Sequence, residues 1–144
     1  MNNDNLISKD YFIKRLTDLC LKSGLKGCPK DQTDQHILLK SAILVIGQSD
    51  NFTEQEINEK LDYWVHKITQ IKDIDRVTLR RRLVDTGYLV RSKNGNCYQI
   101  ASPGPLPQLF EEGIDELDIP QVIETAQEEI ARRKREYLEK VKGA

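Results

Sequence analysis

The sequence has few of the residues that build disulfide scaffolds or metal sites. Its three cysteines, Cys20, Cys28 and Cys97, are odd in number and too sparse for a disulfide framework. The two histidines, His36 and His66, take part in neither a C-x-x-C nor an H-x-x-x-H spacing. We therefore predict no metal site and no other cofactor.

Long apolar runs and an excess of charge of one sign are also missing. No segment approaches the roughly 20 apolar residues that span a bilayer. Residues 1–5 lack the basic and apolar regions of a signal peptide, so we expect a cytoplasmic protein with no membrane partner. With 22 Lys and Arg against 23 Asp and Glu, the formal net charge is −1, which excludes nucleic-acid binding through bulk charge.

Positive charge is concentrated in one block, residues 72–93, which holds seven basic and three acidic side chains. Any binding to an anionic partner therefore depends on this block. At 144 residues, of which 38% are hydrophobic, the chain is long enough for one core. We predict a folded domain over residues 1–101, a Pro-rich linker over 102–119 and a C-terminal helix over 120–144.

Helical spacing of apolar residues predicts two helices in the N-terminal third. The first spans Lys9–Ser23. The second is capped by Thr33 or Asp34, and it ends at Ile46 before a glycine.

The third helix has the clearest start, because Thr53 and Glu56 have the spacing of a capping box. The apolar residues that follow lie on one face of a helix that runs to Ile68. Asp75 is a cap for a fourth helix, which reaches Thr86.

A β-hairpin is predicted after the fourth helix, with strand-like runs over 88–92 and 96–101. Asn94-Gly95 joins them, and in a tight two-residue turn both of these residues take positive φ. In this register Arg91 faces Tyr98, on which it can stack, and Leu89 faces Ile100.

A helical wheel divides the fourth helix into two faces. Leu79, Leu83 and Val84 fall on the side that we expect in the core, and Thr78, Arg81 and Arg82 fall on the opposite side. Arg80 lies on the apolar side, so we expect it to be partly buried and paired with a carboxylate. The position of Arg76, near the helix end, leaves its role open.

These elements predict a mainly α (α+β) fold. They occur in the order of a winged helix-turn-helix core with a two-stranded wing, to which an extra N-terminal helix and a long C-terminal helix are added. The core helices are His36–Ile46, Thr53–Ile68 and the recognition helix Arg76–Thr86, and the wing is Tyr88–Ala101.

Three sequence blocks carry a resemblance to a known family. They are Phe52-Thr53-Glu54-Gln55-Glu56-Ile57-Asn58-Glu59-Lys60-Leu61, Leu79-Arg80-Arg81-Arg82-Leu83-Val84-Asp85 running on to Gly87-Tyr88-Leu89-Val90-Arg91, and Gly95-Asn96-Cys97-Tyr98. In this order and spacing, over residues 36–100, the chain resembles the bacterial domain of unknown function 2087, with Ile57 in place of the usual valine. The resemblance implies a protein that occurs alone or attached to transcriptional regulators, with nucleic-acid binding suggested and no catalytic residues.

Two functions remain open. In the first, a transcription regulator binds DNA through Thr78, Arg81 and Arg82 in the major groove and through Lys93 and Asn94 at the wing tip. In the second, the same fold is a protein–protein interaction module without nucleic-acid binding. We expect no enzyme, because no phosphate loop, G-x-S-x-G or H-E-x-x-H motif is present.

The C-terminal helix offers a route to a homodimer, which a small DNA-binding module usually needs for specificity. Ile123, Ile130, Tyr137 and Val141 approximate an apolar stripe, although a basic run over residues 132–135 interrupts it. Docking of this helix on its own domain is the alternative to self-association.

Overall fold

A computed structural model describes residues 6–102 and 104–143 and contains five α-helices and one small antiparallel sheet in that part of the chain. The elements are, in chain order, α1 (Lys9–Thr17), α2 (Gln32–Ile46), β1 (Phe52–Thr53), α3 (Glu54–Tyr63), α4 (Arg76–Asp85), β2 (Leu89–Arg91), β3 (Cys97–Ile100) and α5 (Ile119–Gly143). Wider π-helical turns extend α1 over Asp18–Lys22 and α3 over Trp64–Ile68. A 3₁₀-helix, Ile114–Glu116, precedes α5.

The predicted starts of α3 and α4 are confirmed. The Thr53 hydroxyl accepts from the backbone N–H of Glu56 at 3.1 Å, and the Glu56 carboxylate accepts from the Thr53 N–H at 2.9 Å. Asp75 caps α4 by accepting from the N–H of Thr78 at 2.7 Å. Each cap satisfies backbone donors that have no partner within the helix, so the chain turns into a helix at these residues.

The predicted cap of α2 is wrong. Asp31, rather than Thr33 or Asp34, accepts from the backbone N–H of Asp34 at 2.9 Å. The carboxylate of Asp34 faces inward and receives two hydrogen bonds of 2.8 Å from Arg15, which joins α1 to α2. A buried carboxylate is tolerated there because the guanidinium pairs with both oxygens.

The predicted hairpin register is confirmed, because β2 and β3 pair Arg91 with Tyr98 and Leu89 with Ile100. The predicted two-stranded wing is one strand short. Phe52 pairs with Tyr98 in a third strand, which gives the order β1-β3-β2. A strand of two residues has no alternation that sequence could reveal, and its partner lies 46 positions away.

The turn of the hairpin also differs from the prediction. Among the described residues, Asp73 is the only non-glycine residue with positive φ, so Gly95 (φ 76°) has it in this turn and Asn94 does not. The backbone N–H of Gly95 donates to the Ser92 carbonyl at 2.9 Å, which makes a longer loop. Loops of this length are usually built on a type I turn, whose central residues need no positive φ.

The stretch predicted as a linker packs against the rest of the protein. Ile7 forms a parallel bridge with Phe110, and the Phe110 ring meets Phe12 edge-on at 5.9 Å. Ile114 is fully buried in the same core as Phe12 and Trp64. Proline spacing suggested a stiff connection, but the apolar side chains between the prolines find a hydrophobic surface.

Only the first turns of α5 belong to this core. Ile119 and Ile123 are buried, and Pro120 sits in the first turn as expected. Every residue from 131 to 143 is exposed. Within the described ranges, no helix combines the length and apolar character that a bilayer crossing requires.

Candidate nucleic-acid interface

Helix α4 is anchored by two leucines, which leaves its other side open to solvent. Leu79 and Leu83 are buried, as predicted, and Val84 is half-buried. The two leucines lie four residues apart and so occupy one face of the helix. The opposite face carries Thr78 and Arg81, both exposed.

Two of the four arginines of α4 are bound to acidic or amide side chains of α3. Arg80 is partly buried, with 20% of its side chain exposed, and its Nη1 lies 3.3 Å from Glu54 Oε1. The same nitrogen donates to Asn58 Oδ1, so the predicted carboxylate pairing of Arg80 is confirmed. Arg76, whose role was open, donates from Nη1 to Asp62 Oδ2 at 2.7 Å.

The predicted stacking of Arg91 on Tyr98 is wrong. The guanidinium over the Tyr98 ring belongs to Arg80, whose Cζ lies 5.9 Å from the ring centroid. Arg91 is exposed and lies along the turn, where its Nη2 would come within 2.7 Å of a Cβ at Gly95. Facing positions in a strand pair bring backbones together, but the buried Arg80 already occupies the ring face.

The remaining candidates on α4 differ in exposure. Thr78 and Arg81, three residues apart, are neighbours on the exposed face. Arg82 is half-buried beside a small cavity that Cys28 also lines, so it stands further from solvent than predicted. Asp85 is exposed as well, and it reduces the positive potential of the helix surface.

The hairpin tip carries the other two candidates, Lys93 and Asn94, both exposed. The Asn94 side chain has a structural task, because its Oδ1 accepts from Ser92 Oγ at 2.7 Å and from the Asn96 N–H at 3.1 Å. This leaves Lys93 as the residue of the tip that offers a full positive charge.

The electrostatics separate paired from unpaired cations. Within residues 6–102 and 104–143, neither Arg81, Arg82 nor Lys93 lies within 4.0 Å of a carboxylate oxygen. At the start of α4, the hydrogen bond from the Thr78 N–H lowers the pKa of Asp75, which keeps this cap ionised beside the positive end of the helix dipole. No three His, Cys, Asp or Glu side chains gather as a metal site in the part of the chain that the structure describes.

Residues 24–100 match the family described as an uncharacterized protein conserved in bacteria, DUF2087. The chain belongs to this family. The match begins 12 residues before the segment predicted from the motifs. No curated protein and no solved structure matches the chain.

In this DUF2087 chain the three sequence blocks meet at one side chain. Arg80 of the second block donates to Asn58 of the first and covers the ring of Tyr98 in the third. Thr53 and Glu56, also of the first block, form the cap of α3. These positions therefore hold α3, α4 and the sheet together, which means that the motifs describe the fold more directly than a binding surface.

Two exposed apolar side chains of the family segment escaped the sequence analysis. Val77 on α4 is 47% exposed, and Val90 on β2 is 51% exposed. The wheel that places Leu79 at 0° puts Val77 at 160°, next to Arg81 at 200°. That angle was a usable signal, because a valine beside an outward-facing arginine cannot reach the core.

Proposed function

We propose that this protein is a winged helix-turn-helix DNA-binding module and acts as a transcription regulator in the cytoplasm. In this proposal α2 is the first helix, α3 the second and α4 the recognition helix, while β2 and β3 form the wing. An α-helix fits the major groove of B-DNA, and a hairpin beside it can follow the phosphates. The role is binding, with no catalytic residue assigned.

The observation that carries the proposal is the contrast among the arginines of α4. Arg76 and Arg80 are tied to α3, whereas Arg81 is exposed and has no carboxylate partner in the described residues. An exposed, uncompensated guanidinium beside Thr78 suits hydrogen bonding to a base edge or a phosphate. Lys93 at the hairpin tip then neutralises a backbone phosphate, and Arg82 adds a weaker contact because it is half-buried.

So few cations give modest affinity, since each phosphate contact contributes about one unit to the salt slope. We therefore propose that the protein binds as a homodimer, which doubles the contacts, with α5 as the dimerising element. Association of two copies on DNA raises affinity without any new kind of contact.

Fluorescence anisotropy with a labelled mixed-sequence duplex tests the proposal at several salt concentrations. Arg81→Ala with Arg82→Ala should weaken binding at least about tenfold and flatten the slope of log K against log salt by about one unit per lost contact. The control is Lys14→Ala with Lys67→Ala, which removes the same charge from exposed positions on α1 and at the end of α3. Equal affinities of a folded double variant, its control and the wild type would reject the proposal.

The exposed valines favour a second candidate, a protein–protein interaction module. Val77 and Val90 lie on the two elements that would face DNA, and Asp85 beside them repels phosphate. Apolar side chains at a surface favour contact with another protein. In this case the duplex shows no binding, and Val77→Ser with Val90→Ser abolishes a stable heteromeric complex that the Arg81 and Arg82 changes leave intact.

A further inference from the structure

The second half of α5 is a helix without support from its own domain. All residues from 131 to 143 are exposed, and at 1.5 Å per residue they extend about 20 Å beyond the core. Tyr137, Leu138 and Val141 are 67%, 48% and 56% exposed. Isolated helices of this length are marginal in water, so a stretch with exposed apolar side chains calls for a partner. We call residues 131–143 the arm.

The apolar side of the arm continues the side of α5 that the core already uses. At 100° per residue, Ile123 and Val141 lie at the same angle, and Ile119 and Tyr137 both lie 40° from it. Ile119 and Ile123 are buried in this chain, whereas Tyr137 and Val141 are exposed. One continuous stripe therefore begins inside the molecule and ends in solvent.

The charges of the arm are opposite to those of the segment before it. Residues 111–129 hold eight acidic side chains and no basic one, whereas residues 130–143 hold six basic and two acidic ones. Glu129 and Glu136 already pair with Arg132, and Glu129 also pairs with Arg133. Lys134, near the centre of the stripe, has no such partner in the described part of α5.

The acidic segment borders a cleft of about 810 Å³ between the end of α2 and residues 101–115. The walls carry Leu44, Leu106 and Phe110 as well as charged side chains. Cavities of this size, with mixed apolar and polar walls, are typical binding sites. We call it the acidic cleft.

The charge balance of the acidic cleft favours a cationic occupant. Its lysine, Lys40, lies 2.5 Å from Asp115 and over the Phe110 ring, so this positive charge is already compensated. Glu111 and Glu112, both exposed, are left as surplus negative charge. An amphipathic helix with exposed tyrosine, leucine and valine beside lysines matches both the apolar walls and the charge.

We propose that the arm of one copy docks in the acidic cleft of a second copy, and that the second arm docks reciprocally in the first cleft. The contact is then made twice around a two-fold axis, which closes the assembly at a dimer. It deepens the dimer of the proposed function by naming the surface that receives α5. It needs no nucleic acid, so it stands or falls separately from DNA binding.

Sedimentation velocity of the full chain tests the exchange with two charge-reversal variants. The arm variant is Lys134→Glu with Lys140→Glu, and the cleft variant is Glu111→Lys with Glu112→Lys. Each variant alone places like charges in both contacts and should raise the dimer Kd at least about tenfold. Mixing the two should restore the dimer, because both contacts of the mixed pair then join opposite charges.

The control is Lys14→Glu with Lys30→Glu, which makes the same charge change at exposed positions outside the arm and the cleft and should leave the dimer intact. Circular dichroism confirms that each variant is folded. Rising salt should weaken the wild-type dimer, since exposed charges are screened. A wild-type protein that stays monomeric overturns both the exchange and the dimer. A dimer that the cleft variant leaves unchanged, or that mixing fails to restore, overturns the exchange alone.

Discussion

Arg80 and Arg81 are adjacent in sequence, and we expect their replacement to have opposite consequences. Arg80→Met removes the charge and the hydrogen bonds but keeps an unbranched apolar chain over Tyr98. Arg81→Met removes the same charge from the exposed face of α4. The first change should lower the stability of the fold, and the second should lower affinity for DNA.

The contacts of Arg80 give the size of the first effect. The pair with Glu54 is partly screened, because 44% of that carboxylate side chain is exposed, so it contributes at most about 1 kcal/mol. The hydrogen bond from a charged donor to Asn58 contributes about 1.5 kcal/mol, and the position over Tyr98 about 0.5 kcal/mol. Because these contacts share one side chain, we expect a combined loss of about 2 kcal/mol in the free energy of unfolding.

Urea unfolding followed by circular dichroism measures this free energy for both variants. For Arg81→Met we expect a change within about 0.5 kcal/mol, as for other exposed positions. Duplex anisotropy, under conditions in which both variants remain folded, should show weaker binding for Arg81→Met and wild-type binding for Arg80→Met. The reasoning is refuted if Arg80→Met unfolds like the wild type, or if Arg81→Met loses more than about 1 kcal/mol.

Two further predictions concern buried polar contacts. Ser41→Ala removes the acceptor of the Trp64 indole N–H, which lies 2.8 Å from the Ser41 hydroxyl in a fully buried setting, and it should cost about 1–3 kcal/mol. Urea unfolding measures this loss, Ser49→Ala at the surface is the control, and equal midpoints for the two variants would contradict the prediction. Burial lowers the pKa of His36, which contacts the Tyr88 hydroxyl at 2.8 Å, so protonation favours the unfolded chain. The stability that this neutral imidazole contributes is present above pH 6.5 and declines as the pH falls through the lowered pKa of the folded state; His36→Gln should remove that part of the pH dependence of the urea midpoint, and an unchanged profile would count against it.

The parts of the fold that sequence predicted are those held by local hydrogen bonds. The capping box of Thr53 and Glu56 and the cap at Asp75 each act over three residues, so their spacing is visible in the sequence. The hairpin register followed from Asn94-Gly95, although the longer turn did not. A turn type depends on the φ of single residues, whereas register depends on the two strands as a whole.

The candidate site was predicted only in part, for a related reason. The wheel separated Leu79 from Arg81 because helical periodicity alone decides which face a residue occupies. It could not place Arg82, whose exposure depends on the loop around Cys28. It also could not assign the Tyr98 ring to Arg80 over Arg91, since both can reach an aromatic neighbour.

Sequence by itself determined the helices, their caps, the strand register and the family, because each depends on neighbouring residues or on motif order. Tertiary structure decided which charges remain available. Arg76 and Arg80 are neutralised by residues 14 to 26 positions away on α3, and Phe52 joins the sheet through a partner 46 positions away. Such pairings arise from how packed helices bring distant side chains together, and chain spacing does not encode that proximity.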